Sequence, residues 1–270
     1  MSGFLEATAL NLTRAIGRAL TSEEIARRRG LLQALDPRVR LLGVLALVIA
    51  VTLSRKPMVV ATLLTLAIVL ALLSRVSLAT LAKRVWLVVF FFTATIALPA
   101  LFITPGRAVW RAPVGAVQIT GAGLYTAALL VLRVETAVTF TTLLVLCTPW
   151  SHVLKALRSL GLPQELIAML AMTHRYVFLL TETAGQMLES RRSRTVGALR
   201  GALQRQMVTR SAGVLVSKSF ILSEEVYQAM LSRGFAGDVR LLPDFQMRRG
   251  DYAALAGVIV VGVAAVWWGR

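Results

Sequence analysis

Two arginines close the two longest helical patterns of the chain, and each directly follows a serine. Ser193-Arg194-Thr195 ends the first pattern, and Ser232-Arg233-Gly234 ends the second. A guanidinium is a planar fork of donors that binds a carboxylate bidentately, and a small neighbouring residue lets a partner approach closely. Gly234 is able to adopt a positive φ and so to end its helix. One such arginine is usually explained by the dipole of its own helix, whereas two in this arrangement favour docking to a partner protein.

Few other side chains in the sequence are of a type that could carry out chemistry or bind a metal. Arg133 and Glu135 lie within an apolar stretch, where ionisable groups are costly and indicate function. They are two positions apart and so do not face each other on a helix. Each is expected to pair with another helix or with a partner subunit, and a proton relay is the third interpretation. His152, His174 and the single Cys147 are too few for an ordinary zinc or haem site, so we expect no metal or cofactor in this chain.

The composition is typical of a membrane protein. Of the 270 residues, 57% are hydrophobic and 16% are charged, and the mean hydropathy is +0.72. A soluble domain is about 45–50% apolar and about 25% charged. The 30 Lys and Arg residues exceed the 13 Asp and Glu residues by 17, which suggests nucleic acid, an anionic membrane surface or an acidic protein as a partner. A single cysteine excludes an internal disulfide framework.

Five apolar runs predict five transmembrane helices. They are Leu41–Ser54, Met58–Leu73, Val85–Thr104, Gly121–Thr148 and Tyr252–Trp268, with a polar loop expected between the third and the fourth. The first two runs are shorter than the roughly 20 residues that span ~30 Å of hydrocarbon, but their charged ends extend them by snorkelling. Every span must be helical, because lipid offers no partner to backbone groups. We therefore predict an all-α membrane protein with about five transmembrane helices.

The charges of the short segments predict the orientation. With the N-terminus in the cytoplasm, the inside segments carry ten Lys and Arg residues and the outside segments carry five, as the positive-inside rule favours. The inside residues are Arg14, Arg18, Arg27, Arg28, Arg29, Arg38, Arg40, Arg75, Lys83 and Arg84, and the outside residues are Arg55, Lys56, Arg107, Arg111 and Arg270.

This topology divides the chain into four parts. Residues 1–38 form N-terminal helices, which either lie at the membrane surface or form a solvated arm. Residues 39–148 form spans one to four, residues 149–251 form a cytoplasmic segment, and residues 252–270 form span five.

The cytoplasmic segment contains three helical patterns. Ser151–Leu160 is a short amphipathic helix ended by Gly161-Leu162-Pro163. Apolar residues at helical spacing then run from Gln164 to about Arg194 and from about Ala202 to Arg233, without an interrupting proline. At ~1.5 Å rise per residue, each of these two helices is roughly 45 Å long. Helices of this length have to pack along or across each other to form a compact segment.

These motifs, taken in order, resemble those of the transmembrane coupling component of energy-coupling factor transporters, the EcfT/CbiQ family. Leu35–Leu41 is similar to the Leu-Asp-Pro-Arg-x-Lys-Leu motif that precedes the first span in that family, and Leu160–Pro163, His174–Tyr176 and Ala229–Phe235 match in kind and order. The likeness covers roughly residues 30–265. The second arginine motif is the more specific one, because the first departs from Ala-Arg-Gly at both flanks.

The resemblance implies a mechanism. In this family the two long coupling helices cross in an X on the cytoplasmic face, and the arginine that closes each helix docks in a groove of one of two ATPase subunits. By this resemblance Arg194 and Arg233 are the docking arginines, while Ser193, Ser232 and Gly234 allow close packing. ATP and Mg would be bound by the ATPases, and this sequence contains no phosphate-binding loop of its own.

The same resemblance implies the role of the chain. It would be a non-catalytic subunit of an importer in the bacterial cytoplasmic membrane and would reorient a separate membrane subunit that binds the substrate. His174–Phe178 and the overall length look slightly more like the cobalt branch, CbiQ. That favours a cobalt-binding partner, with nickel and the shared vitamin transporters as alternatives.

Two other classes of function fit the sequence less well. An intramembrane protease or lipid transferase needs a paired catalytic set at membrane depth, but no Asp lies in spans one to four and neither His lies within a span. A nucleic-acid binder needs exposed aromatic residues beside its basic ones, and residues 149–251 contain only a few scattered aromatics. We therefore expect lipid and protein partners and no nucleic acid.

Overall fold

The computed structural model describes residues 30–82, 86–103, 108–111, 118–194, 201–235 and 249–270. The N-terminal helices predicted within residues 1–38 lie outside this description up to residue 29. The described helices are α1 (Leu31–Ala34), α2 (Pro37–Leu53), α3 (Pro57–Leu73), α4 (Leu78–Leu81), α5 (Leu87–Ile103), α6 (Gly121–Cys147), α7 (Trp150–Ser159), α8 (Gln164–Ser193), α9 (Gly201–Leu231) and α10 (Arg249–Gly269).

The all-α membrane class is confirmed. Helices α6 and α10, with 27 and 21 residues, are long and apolar enough to cross a membrane, and α3 and the stretch Leu87–Pro99 are shorter apolar helices. Helices α2 and α3 have 17 residues each, which corresponds to about 25 Å. A proline at the first helical turn begins each of them, where its missing N–H costs nothing.

The polar loop expected before the fourth span contains secondary structure. Strands β1 (Ala108–Arg111) and β2 (Gln118–Thr120) pair in an antiparallel hairpin, with an irregularity in the register after Ala108. The sequences Ala-Val-Trp-Arg and Gln-Ile-Thr hold β-branched and aromatic residues that favour strands. These runs are too short to give a visible alternating pattern, so the sequence alone suggested a loop.

The described residues divide into two compact units. The transmembrane unit comprises residues 30–156 and 249–270, and the long-helix unit comprises residues 157–194 and 201–235. In the transmembrane unit α6 packs against α2, α3 and α5, and α10 packs against α2. The buried core of this unit is formed by Leu47, Ala50, Val51, Val60, Leu63, Ala67, Ala71, Val76, Leu81, Phe140, Leu143, Leu146, Cys147 and Ala265.

Small residues allow α2 and α10 to approach closely. A Cβ added to Gly262 would lie 3.8 Å from the Ala50 Cβ, and one added to Gly269 would lie 2.8 Å from the Ser54 Oγ. Small residues at such contacts let helix backbones pack tightly within a membrane, where the hydrophobic effect gives no net attraction between helices. This packing joins the last helix of the chain to the first long one.

The long-helix unit contains little buried surface. Among the side chains that the structure describes in this unit, Ile167 alone is buried, with 0% exposure. Large apolar side chains are exposed along both helices, and they include Leu166, Met169, Val177, Val214, Val216, Phe220, Ile221 and Tyr227. Two helices with so much exposed apolar surface do not form a complete core by themselves.

Candidate functional site

A long apolar groove lies between α8 and α9. Its volume is about 690 Å³, and its walls include Met169, Met172 and Tyr176 of α8 and Leu222 and Met230 of α9. The groove therefore joins the first half of α8 to the second half of α9. Methionine side chains are flexible and polarizable, which makes such a surface adaptable to a partner.

The C-terminus of α9 is fixed by a glycine turn. Gly234 has φ of 80°, the left-handed conformation that its sequence position predicts. The Phe235 N–H donates to the Met230 carbonyl at 3.0 Å, and the Gly234 N–H donates to the Leu231 carbonyl at 2.9 Å. These two bonds form a Schellman motif, in which Arg233 is the capping residue of the helix. The backbone of Arg233 is thus held rigidly while its side chain is exposed.

The C-terminus of α8 presents a second exposed arginine. Arg194 directly follows the last residue of the helix, and its N–H donates to the Arg191 carbonyl at 3.3 Å. The Ser193 Oγ donates to the Ser190 carbonyl at 2.9 Å, just as the Ser232 Oγ donates to the Ala229 carbonyl at 3.0 Å. Both serines therefore satisfy their hydroxyls within their own helix and add no bulk beside the arginine. Because Thr195 does not readily adopt a positive φ, the sequence predicts that the helix ends slightly later, near Gly197, and this position lies outside the described residues.

The two arginines belong to different ends of the groove. Arg233 follows the part of α9 that lines the groove, whereas Arg194 lies about 14 residues beyond Leu180, the last groove residue of α8. At ~1.5 Å per residue, these 14 residues extend roughly 20 Å along the helix axis. The structure therefore presents two separate cationic helix ends and does not bring them together in one cluster.

Arg133 and Glu135 have contrasting surroundings in α6. The Arg133 Nη2 donates to the Ser54 carbonyl at 2.7 Å, and Ser54 is the residue that caps the C-terminus of α2. A cation at that end complements the helix dipole, so Arg133 joins α6 to α2. Glu135 is 8% exposed, and neither of its carboxylate oxygens accepts a hydrogen bond from the described part of the chain.

A buried polar cluster at the start of α2 escaped the sequence reasoning. Asp36 caps α2 by accepting a hydrogen bond from the Arg38 N–H at 2.9 Å. The Asp36 N–H in turn donates to Asp251 Oδ1 at 3.0 Å, which ties the start of α2 to the first turn of α10. The Leu35–Leu41 motif therefore takes part in a contact that spans 215 residues of sequence.

Arg40 is the centre of this cluster and is only 6% exposed. Its guanidinium donates to the Cys147 carbonyl at 2.6 Å, to the Leu35 carbonyl at 2.6 Å and to the Gln33 carbonyl at 3.2 Å. It also donates to the Thr148 Oγ1 at 3.3 Å. Arg40 is one of the charges on which the predicted orientation depends, and the structure shows in addition that it is buried and hydrogen-bonded within the fold. Its guanidinium donates hydrogen bonds to carbonyls that have no partner within a helix, at the end of α6 and in the segment around α1.

His152 of α7 lies beside this cluster. Burial lowers the pKa of His152, and the positive charges of Arg40 and Lys155 lower it further, while the negative charge of Asp36 opposes them. A neutral imidazole is therefore favoured next to the buried guanidinium. No group of three or more His, Cys, Asp or Glu side chains that could hold a metal ion occurs among the described residues.

Comparisons with known proteins indicate the family of this chain. The family model described as cobalt transport protein, CbiQ, matches residues 29–243. An uncharacterized protein of Methanocaldococcus jannaschii is 31% identical over 92% of this chain and 86% of its own length. The energy-coupling factor transporter transmembrane protein EcfT of Thermanaerovibrio acidaminovorans is 30% identical over 86% of this chain and 90% of its own. The cobalt transport protein CbiQ of Rhodobacter capsulatus is 30% identical over 56% of this chain and 63% of its own.

The family assignment follows from these matches, since the model covers most of the chain and two relatives match nearly their full length. The protein belongs to the EcfT/CbiQ family and is a transmembrane component of an energy-coupling factor transporter.

Proposed function

We propose that this chain is the non-catalytic coupling subunit of an importer, in which the long-helix unit docks two ATPase subunits. Two exposed arginines at helix ends carry this proposal, because each offers an accessible fork of donors to an acidic groove. Arg233 and Gly234 form one docking point with Ser232, and Arg194 forms the other with Ser193. Partner ATPases would bind ATP and Mg, and this chain would transmit their motion.

The large exposed apolar area of α8 and α9 supports the same proposal. Such a surface is unfavourable in water and marks a site of protein contact. ATP-driven closure of an ATPase pair would shift the two helix ends, and the helices would pass this movement to a membrane subunit that binds the substrate. The topology we propose places residues 149–251 and the N-terminus in the cytoplasm of a bacterium, because positive charge is concentrated on that side.

Cobalt is the substrate we propose for the complete importer. The matched family model is described as a cobalt transport protein, and one partial relative bears the same name. Nickel is one alternative, since a partial relative is named nickel permease LarQ, and vitamins are another, since relatives named EcfT carry no substrate in their names. In each case the ligands would belong to the separate membrane subunit.

Co-purification tests the docking proposal. The chain is purified in mild detergent from its native host as wild type and as Arg194→Glu with Arg233→Glu, and the proteins retained are identified by mass spectrometry. We expect the wild type to retain an ATPase pair and a small membrane protein. The double variant should lose at least nine tenths of the ATPases, because a glutamate repels an acidic groove. The identity of the small membrane protein would indicate the substrate.

The matched control carries the same change of charge on the same two helices. Arg175 and Arg210 are exposed within α8 and α9, and Arg175→Glu with Arg210→Glu should leave ATPase retention unchanged. A wild type that retains no ATPase would contradict the proposed function. Equal loss in the double variant and its control would show that total charge, rather than the two helix ends, holds the ATPases.

A further inference from the structure

A groove with a single carboxylate opens between α3, α5 and α6 of the transmembrane unit. It has a volume of about 720 Å³ and is lined by Leu64, Ile68, Trp86, Phe90, Phe91 and Glu135. The remainder of its lining is aliphatic. The helices on either side are the apolar ones described above, so the groove lies at membrane depth.

Glu135 meets no hydrogen-bond donor among the described residues around this groove. It is more than nine tenths buried, and both of its oxygens lack a partner there. Two donors beside it are engaged elsewhere, since the Trp86 Nε1–H on the lining of the groove donates to the Thr139 Oγ1 at 3.3 Å and the Thr139 hydroxyl donates to the Glu135 backbone carbonyl at 2.6 Å. A carboxylate at membrane depth without a donor is costly.

Helix α5 presents exposed apolar side chains in and beside the groove. Leu87, Phe91 and Phe92 of α5 are 71%, 75% and 67% exposed. Lipid tails would cover these side chains, but they supply no donor to Glu135. Another transmembrane helix would cover the same surface and, through a basic side chain, would also satisfy the carboxylate.

We infer that this groove receives a transmembrane helix of the partner membrane subunit and that a lysine or arginine of that helix pairs with Glu135. The inference rests on the proposed function, because it requires a membrane partner, and it gives that partner a location and a chemistry. Glu135 is one of the lining residues of the groove, so a cation carried by the entering helix would meet its side chain there. The aromatic side chains of α5 then enclose the pair and strengthen it by excluding water.

Chemical labelling tests this inference without a mutation. A hydrophobic carbodiimide modifies carboxyl groups that lie in apolar surroundings, and mass spectrometry locates the product. The reagent is applied to the isolated chain, to the chain with its ATPases and to the full complex that contains the membrane subunit. We expect Glu135 to be labelled in the first two samples and to be labelled at least tenfold less in the third. Equal labelling in all three samples would overturn the inference.

Variants supply an independent readout. Glu135→Gln keeps the shape of the side chain but removes its charge, so retention of the membrane subunit should fall at least fivefold while the ATPases remain bound. Glu135→Asp should restore part of that retention, and Thr141→Ala at an exposed position of α6 is the matched control with no change. Full retention by Glu135→Gln would overturn the charge pairing.

Two further outcomes of these experiments are informative. One shows whether Glu135 pairs with a cation of its own chain instead of a partner, and the other shows whether the proposed coupling function itself fails. Lys83 and Arg84 stand between Ala82 and Trp86 in the sequence. If Glu135 is protected in the isolated chain and becomes labelled in Lys83→Gln with Arg84→Gln, the carboxylate pairs within its own chain and the inference fails. If wild type retains a membrane subunit but no ATPase, the proposed coupling function fails while the pairing of Glu135 is still decided by its labelling.

Discussion

The transmembrane unit and the long-helix unit treat their arginines in opposite ways. In the transmembrane unit Arg40 and Arg133 are directed inward, where they donate to carbonyls at the ends of α6 and α2. In the long-helix unit Arg194 and Arg233 are exposed directly after the ends of their helices. The same residue type at a helix C-terminus therefore stabilises the fold in one unit and remains available to a partner in the other.

The apolar residues of the two units point to different surroundings. Exposed leucine, valine and phenylalanine side chains on α5 and α10 are suited to lipid, which is as apolar as they are. On α8 and α9, by contrast, charged residues lie between the exposed apolar residues along each helix. Partner proteins are the surroundings that suit such a mixed surface. We therefore expect mutation of the buried arginines in the first unit to affect stability and mutation of the helix ends in the second to affect assembly with the ATPases.

Removal of the buried guanidinium should have the largest effect on stability. Arg40→Ala leaves the Cys147, Leu35 and Gln33 carbonyls without their shared donor. Leaving buried polar groups unpaired typically costs about 1–3 kcal/mol each, so we expect a loss of about 3 kcal/mol or more. Thermal unfolding of the purified chain in detergent measures this loss. The exposed Arg55→Ala should stay within about 0.5 kcal/mol of wild type, and equal stability of the two variants would show that Arg40 is not a structural anchor.

A change at the glycine turn should weaken docking without affecting the transmembrane unit. Gly234→Ala places a Cβ at φ of 80°, which costs about 1 kcal/mol or more for an L-residue. The end of α9 should fray and Arg233 should lose its fixed position, so ATPase binding should weaken roughly fivefold. Titration of the ATPases onto the purified chain measures this change.

The control for the glycine turn lies within the same helix. Gly213 is in the interior of α9, and an added Cβ would meet no atom within 4 Å. Gly213→Ala should therefore stabilise the helix by about 0.5–1 kcal/mol and leave binding unchanged. Wild-type affinity in Gly234→Ala would show that the Schellman turn does not position the docking arginine.

The smallest expected effect concerns pH. The pKa of His152 in the folded protein is lowered from its ordinary value of 6.5. As the pH falls toward that value, the unfolded chain therefore binds a proton at His152 more readily than the folded protein does. His152 therefore contributes stability that is present above about pH 6.5 and is lost as the pH falls through the lower folded pKa. In His152→Gln the dependence of the melting temperature on pH between about 7.5 and 5 should be flatter than in wild type. A parallel pair of curves would contradict this role.

The features predicted from the sequence were those with local causes. Gly161 after α7 has φ of 94° and Gly234 after α9 has φ of 80°. Both helix ends are predictable, because each glycine directly follows a run of apolar residues at helical spacing. The ranges predicted for the spans and for the two long helices agree closely with the described ones, because period and length are local properties of the chain.

The features that escaped prediction depend on contacts between distant residues. Arg40 and Cys147 are 107 positions apart, and Asp36 and Asp251 are 215 apart. A single sequence does not show which of its many arginines is buried, so the burial of Arg40 could not be predicted. Likewise, the spacing of Arg133 and Glu135 predicted that they would not face each other, but only the packing of α6 shows that Arg133 has a partner in this chain while Glu135 has none among the described residues.

The docking role of the two helix ends is tested most directly by the affinity of an ATPase pair for this chain in lipid nanodiscs. The pair is titrated onto wild type, Arg194→Glu, Arg233→Glu and the control Arg175→Glu. Two linked contacts bind far more tightly than one, so we predict that either docking variant lowers the affinity at least a hundredfold and that the control leaves it unchanged. Wild-type affinity in both docking variants would contradict the proposal that these arginines connect the chain to its ATPases.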